Sequence, residues 1–370
     1  MEDTMYYKAL GKTGKEVSAV SFGAMRFRED DYKKGPGRCA DIVLRARELG
    51  VNYFDTAPGY CNDQSEIIVG HAINQMKDKP YVSTKCGLWN ADTADGAYGM
   101  VQQSLKRLNV DKITVYNMWC IKSLDEYREM TKPGGIYEGI ARAKEEGLIE
   151  HICCSTHIDG NGLAQIVSEG LVECVTLGYN ALNFAYRRTG VKACYEAGLG
   201  VVLMNPLGGG MIPRHSDRFD FIKNTPDESI VQAALRFLIG QKEVSAALPG
   251  PGTIEELEEC VSAANLKYEV TEAMLTQMAG KLQNELNTLC TSCAYCDECP
   301  VDIPIPRLLD SYNEFILKGS YEAIAGRLKG HWGITAEKAA DCIKCGRCET
   351  LCTQKLPIIE RLGEIAAHLV

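Results

Sequence analysis

Eight short apolar runs, each followed by an amphipathic stretch, set the tightest limit on how this chain can fold. The runs are AVSFG (19–23), NYFDT (52–56), YVSTK (81–85), ITVYNMW (113–119), HICCS (151–155), CVTLGY (174–179), VVLMN (201–205) and SAALP (245–249). Helical patterns fill 38–49, 63–76, 95–108, 136–146, 160–169, 189–197, 227–239 and 254–263. Each interval is long enough for the crossover that two parallel strands require. Gly50, Gly147, Gly170 and Gly200 stand where a helix ends just before the next strand. Eight such units favour an α/β fold of the (β/α)8 TIM-barrel type. A doubly wound open sheet is the alternative, weakened by the lack of a G-x-G-x-x-G after the first run. Residues 6–17 read as a hairpin turning at Gly11–Gly14. The expected domains are a barrel over 1–265, a connecting helix over 266–288 and a small, mainly helical domain over 289–370. Within the last, 304–317, 320–329 and 356–369 read as helices.

That C-terminal domain carries the strongest chemical signal. Its cysteines fall into two runs, Cys290-x-x-Cys293-x-x-Cys296-x-x-Cys299-Pro300 and Cys342-x-x-Cys345-x-x-Cys348-x-x-x-Cys352. Three thiolates spaced by two residues wrap one face of an iron–sulfur cube, and a fourth, followed by Pro in the bacterial ferredoxin pattern, ligates the cluster of the other run. The reading is two [4Fe–4S] clusters, one on Cys290, Cys293, Cys296 and Cys352, the other on Cys342, Cys345, Cys348 and Cys299. Paired C-x-x-C also makes zinc sites, but a zinc site gains nothing from a third regularly spaced Cys. The first run is one residue short before its fourth Cys, and Thr353 stands where a second Pro would be expected. The other nine of the 17 cysteines are scattered through apolar surroundings with no disulfide framework. They read as small buried hydrophobes in a reducing cytoplasm, and the clusters point to an organism that avoids oxygen.

The net charge of −9 argues against a nucleic-acid or anionic-membrane partner. MEDTMYYKAL has neither a basic n-region nor an apolar h-region, so no signal peptide is expected. No apolar stretch approaches the ~18 residues of a spanning helix.

In a barrel, catalytic groups sit at the C-terminal ends of strands. There the second run ends in Asp55, followed by Thr56-Ala57-Pro58-Gly59-Tyr60, and the third ends in Lys85. A free Tyr has a pKa of about 10. A nearby ammonium lowers it, and an Asp holds that ammonium charged and in place. Such a Tyr can protonate a developing alkoxide while hydride arrives from a nicotinamide. A structural ion pair beside a loop aromatic explains the same residues equally well.

Over nearly its whole length the chain resembles the aldo-keto reductase family, in the branch with a C-terminal ferredoxin-like domain. The resemblance rests on the hairpin, Phe54-Asp55-Thr56-Ala57-…-Tyr60, Ser65-Glu66-x-x-x-Gly70, Ser83-Thr84-Lys85, Asn205-Pro206-Leu207-Gly208-Gly209-Gly210, Leu248-Pro249-Gly250 and the two Cys runs. It implies a (β/α)8 barrel, NAD(P)H and a catalytic Asp, Tyr, Lys and His. Asp55, Tyr60 and Lys85 match, but Trp119 stands in place of the His. Indole donates one hydrogen bond and exchanges no proton at neutral pH. Cys120, next along the strand, is expected to face away, and His157 is a second source of imidazole. The family's cofactor contacts fall on Ser155, Thr156, Thr176, Met204, Asn205, Leu207, Gly208 and Gly210. Only part of that set is kept, since the nicotinamide-touching Gln is Thr176 and the stacking aromatic is Met204. Gly252-Thr253-Ile254-Glu255-Glu256-Leu257 is acidic, which disfavours a 2′-phosphate. Arg214, Arg218 and Lys223 are candidate phosphate contacts.

Three readings follow. The first is an iron–sulfur oxidoreductase of aldo-keto reductase type, reducing a carbonyl or activated double bond of a small molecule with a nicotinamide, Tyr60 being the proton donor. The second is a cluster-dependent electron-transfer enzyme with a degenerate nicotinamide site. The third is a non-catalytic redox-sensing module. A redox partner protein, ferredoxin or flavoprotein, belongs with the clusters. Asp55, Tyr60 and Lys85 speak against the third reading, because folding does not require that trio.

Overall fold

The computed structural model describes residues 5–265, 268–282, 288–290 and 293–369. Two compact units divide the chain: residues up to Leu207 together with Ile222–Thr271, and Gly208–Phe221 together with the segment from Glu272 onward.

The first unit is the barrel. Its hairpin pairs β1 (Tyr7–Ala9) with β2 (Glu16–Ser18) antiparallel. Eight parallel strands follow: β3 (Phe22–Gly23), β4 (Tyr53–Asp55), β5 (Tyr81–Cys86), β6 (Ile113–Ile121), β7 (Ile149–Thr156), β8 (Cys174–Gly178), β9 (Gly200–Met204) and β10 (Ala246–Leu248). Each pairs with the next in sequence. The sheet closes where Ser21 N–H donates to Ala247 O and Ala247 N–H to Ala19 O, both 2.9 Å. All eight expected strands and the helices between them are present.

The hairpin seals the end of the barrel where the strands begin. Leu10 and Val17 are fully buried and pack with Tyr53, Val115, Cys153, Cys174 and Val202. Its turn needs Gly11, at φ +54°, because a Cβ there would lie 2.3 Å from Gly200 N. At the other end, side chains of Thr93, Ser123, Asp159, Ser229 and Thr253 cap the helices that leave the strands, satisfying backbone N–H groups that otherwise lack partners. The helix Leu124–Thr131 was not legible in the sequence. It buries only Tyr127 and Met130, too narrow a stripe to stand out from KSLDEYREMTKPGG.

The second unit is helical. Helix Ile305–Lys318 carries Leu308 and Leu309 into a core with Ile324, Leu328, Leu362 and Ile365, the last two from helix Ile358–Leu369. Buried Asp310 accepts from Arg214 at 3.1 Å, Arg327 at 3.0 Å and Trp332 Nε1 at 3.1 Å. Among the described residues, no helix is long and apolar enough to cross a membrane.

Candidate active site

The loop after β4 presents Tyr60. Ser65 Oγ donates to Ala24 O at 2.6 Å, so in its 2.7 Å contact with Thr56 the Thr56 hydroxyl must be the donor. Gly59, Cys61, Asn62 and Asp63 all have φ between +53° and +83°, a left-handed run that turns the chain back on itself. Gly59 N–H closes the turn on the Asp63 carboxylate at 2.9 Å. Behind the loop, Glu66 accepts from Thr84 Oγ1 at 2.7 Å and pairs with Arg107 at 3.3 Å. Gly70 lies where a Cβ would stand 2.6 Å from Leu108 O. The polar residues of this motif therefore anchor the loop to β3, β5 and the helix Ala94–Leu108.

Asp55, Lys85 and Tyr60 come together at the ends of β4 and β5. Lys85 Nζ is 2.6 Å from Asp55 Oδ2, and both side chains are buried. The same Nζ lies 5.0 Å from the centre of the Tyr60 ring. Burial alone would lower the pKa of Lys85, but Asp55 and Tyr60 outweigh it, so the ammonium holds its proton more tightly than a free lysine. The expectation for Tyr60 is corrected. Burial pushes its pKa up; Lys85 pulls it down, while Asp55 and Cys120 add to the rise, and the net shift is upward. Tyr60 is thus a neutral phenol, a donor with its proton in place, rather than a near-phenolate.

Trp119 occupies the wall beside this trio. Its ring meets Tyr60 edge-on at 5.5 Å and 89°, lies 5.8 Å from Lys85 Nζ, and packs on Trp89 at 4.6 Å. The Trp89 side of that contact requires Gly87, whose Cβ would stand 2.1 Å from Trp119 O and 2.8 Å from the Trp89 ring. The β6–β7 register shifts between Met118 and Ile121, and the Cys120 thiol falls within electrostatic reach of Tyr60. His157 is buried against Gly178, and its carbonyl accepts from Arg187 at 2.8 Å. Burial, Arg187 and Lys122 push its pKa well below the usual imidazole value, so it is neutral.

The expected nicotinamide contacts divide. Ser155, Thr156 and Thr176 are buried at the ends of β7 and β8. Among the described residues, Ser155 Oγ has only the weak acceptor Met204 Sδ, at 3.9 Å. Thr156 Oγ1 donates to Ile121 O at 2.8 Å, and Thr176 Oγ1 to Asn117 Oδ1 at 3.1 Å. Asn205 adopts φ +58°, and its carbonyl accepts from Asn180. Leu207 closes the barrel segment, whereas Gly208 and Gly210, with φ +62° and +85°, fall in the second unit. Arg214, expected at a phosphate, is committed to Asp310 instead. Two basic residues that sequence reasoning missed lie beside the last strand's loop. Arg26 lies against Gly250, and Arg28 against Gly252, where it pairs with Glu256 at 3.4 Å. Only barrel closure brings β3 beside β10, so sequence spacing carried no sign of them.

The eight tail cysteines line two hollows. One is lined by Cys290, Cys293, Cys296 and Cys352 with Leu309, Leu356 and Ile358. The other is lined by Cys299, Cys342, Cys345 and Cys348 with Ile303, Ile305 and Leu362. Among the described residues, no three Cys, His, Asp or Glu side chains close on a point as a single ion would require. Eight of the nine remaining cysteines are buried, Cys61 being partly exposed, as expected of packing thiols.

Residues 19–281 match the model of the Aldo/keto reductase family. L-galactose dehydrogenase of Arabidopsis thaliana is 27% identical over 291 residues, covering 69% of this chain and 87% of its own. The NADH-specific methylglyoxal reductase of Escherichia coli is 23% identical over 293 residues, covering 66% and 88%. Among solved structures, an aldo-keto reductase from Bacillus halodurans superposes with a TM-score of 0.63 at 21% identity, covering 75% of this chain and 96% of its own. One from Klebsiella pneumoniae in complex with NADPH gives 0.61 at 19%, covering 75% and 95%. With a closed eight-stranded barrel, the Asp55–Lys85–Tyr60 constellation at its strand ends and a family match spanning most of its length, this chain is an oxidoreductase of the aldo/keto reductase family.

Proposed function

We propose that the barrel reduces the carbonyl, or an activated double bond, of a small molecule with a nicotinamide, and that the tail holds two [4Fe–4S] clusters. The observation that carries the first part is the Lys85 ammonium, held on Asp55 at 2.6 Å and against Tyr60. A bound nicotinamide supplies hydride to the substrate carbon. Tyr60 gives its proton to the oxygen, Lys85 stabilises the resulting phenolate, and Asp55 keeps Lys85 charged. Trp119 sets aromatic surface edge-on to Tyr60 beside the reacting group. Ser155, with only a thioether for its hydroxyl, suits a carboxamide, and the buried Thr156 stands beside it. The acidic start of the helix Ile254–Ser262 favours NADH over NADPH, although Arg28 offsets part of that charge.

The cluster part rests on the donor sets, four thiols and no competing ligand type around each hollow. It rests also on Arg361, which is buried and within electrostatic reach of Cys290 and Cys352, and whose Nη1 finds no protein partner. A cube spreads its thiolates around a cage rather than a point, and its sulfides accept hydrogen bonds. Bound clusters exchange electrons singly, so a ferredoxin or flavoprotein partner fits this unit.

The test is anaerobic purification, iron and sulfide analysis, EPR of the reduced protein, and turnover of methylglyoxal with NADH and with NADPH. NADH-dependent turnover abolished by Tyr60→Phe, with eight irons per chain, is the expected result. Iron-free protein overturns the cluster part; absence of nicotinamide binding at millimolar cofactor favours cluster-dependent electron transfer.

A further inference from the structure

Behind the catalytic trio runs a chain of buried hydrogen bonds that the family resemblance does not account for. Thr176 Oγ1 donates to Asn117 Oδ1 at 3.1 Å. Asn117 Nδ2 donates to Ser83 Oγ at 2.9 Å and to Thr84 O at 3.2 Å. Ser83 Oγ donates to Asp55 Oδ1 at 2.8 Å, and Asp55 Oδ2 takes Lys85 Nζ at 2.6 Å. Thr176, Asn117 and Ser83 are each 1% exposed or less.

The polarity of the chain is determined at every link. Flipping the Asn117 amide would face its oxygen to the Thr84 carbonyl, two acceptors in contact, so Nδ2 must point toward β5. Ser83 has a single hydroxyl hydrogen. With its oxygen occupied as acceptor from Asn117, that hydrogen has Asp55 as its target. Both Asp55 oxygens are then engaged, one by a neutral donor and one by the ammonium.

We propose that Asn117 and Ser83 are positioning residues for the proton-donating centre: Asn117 orients the Ser83 hydroxyl, which locks the Asp55 carboxylate so that its other oxygen is presented to Lys85. Thr176, at the place where the family resemblance implies a nicotinamide contact, serves this relay instead. The inference rests on the reading of Tyr60 as proton donor, and it assigns to the β5–β6–β8 interior the task of keeping Lys85 under the phenol. The charged and titratable groups facing Tyr60 are Lys85 from β5, Asp55 from β4 and Cys120 from β6. Tyr53 also lies within electrostatic reach of Asp55 and near Ser83, a phenol kept neutral mainly by burial.

The test reads Tyr60 directly. Full-length protein carrying [ζ-¹³C]tyrosine is titrated by NMR, the Tyr60 resonance being assigned by its loss in Tyr60→Phe. Ser83→Ala and Asn117→Asp should move the Tyr60 titration to higher pH, because Lys85 is no longer held beneath the phenol. Ser83→Thr, which keeps the hydroxyl, should restore the wild-type titration even if Ser83→Ala folds poorly. In methylglyoxal turnover with NADH, the first two variants should lose about tenfold or more in kcat with KM unchanged. A Tyr60 titration unmoved in both Ser83→Ala and Asn117→Asp overturns the relay. Wild-type protein that binds no nicotinamide and turns nothing over overturns the reductase reading instead, and the NMR titration still decides the relay.

Discussion

At the scale of single residues, the site is governed by which buried charges are paired. Lys85 sits where an unpaired ammonium would shed its proton, yet Asp55 and Tyr60 reverse that tendency. Because its pKa is raised on folding, the stabilisation from the pair is fully present below the unfolded value of 10.5 and is lost as pH rises through the folded value. Lys85→Met should therefore cost about 3 kcal/mol near neutrality by stranding Asp55. The gap between variant and wild type in denaturant unfolding should narrow above the unfolded lysine pKa; a gap that widens there contradicts the sign. Tyr60→Phe removes only a hydroxyl, so kcat should fall about 10²- to 10⁴-fold with substrate binding little changed, measured by steady-state kinetics. Trp119→His replaces an indole that exchanges no proton with an imidazole beside Tyr60. Activity on simple aldehydes and ketones should rise relative to wild type, as read from kcat/KM on a panel of carbonyls.

Elements matter here through where they allow backbones to approach. The helix Ser65–Ile73 supports the Tyr60 loop only because Gly70 lets it lie on Leu108 O. Gly70→Ala inserts a methyl at 2.6 Å from that oxygen and should destabilise by about 1–3 kcal/mol, like other overpacked sites. Thermal unfolding measures the stability, and kcat should fall with it because the loop is displaced. Strand β6 shows the converse. Its register against β7 shifts between Met118 and Ile121, the stretch that sets Trp119 edge-on to the phenol. Nothing in the composition of ITVYNMWCI marks that irregularity.

For the molecule as a whole, the chain divides chemistry between a barrel that matches its family over 19–281 and a tail beyond that match. The cysteine sets around the two hollows exchange one member between runs, so, on the ligand sets proposed above, loss of one fourth ligand should damage the proposed cluster of the opposite run. Cys352→Ser should deplete the cluster on Cys290, Cys293 and Cys296, and Cys299→Ser the other, each read by iron content and EPR of anaerobic protein. Arg361→Gln, which removes a positive charge within electrostatic reach of Cys290 and Cys352, should shift the midpoint potential of the first proposed cluster to more negative values.

Order along the chain was enough for the barrel, since eight apolar runs separated by crossover-length helices have few other ways to bury themselves. It was enough also to bring Asp55, Tyr60 and Lys85 to one place, because strand ends converge on one face. What awaited the tertiary structure depended on neighbours distant in sequence. Burial reversed the lowering of the Tyr60 pKa that Lys85 alone would bring. Barrel closure set Arg28 against Gly252, Asp310 drew Arg214 away from any phosphate, and Asn117 and Ser83 met Asp55 only when β4, β5 and β6 lay side by side. Hydrogen bonds across adjacent strands leave no periodic trace in a sequence, and the sign of a buried group's shift is decided by everything packed around it.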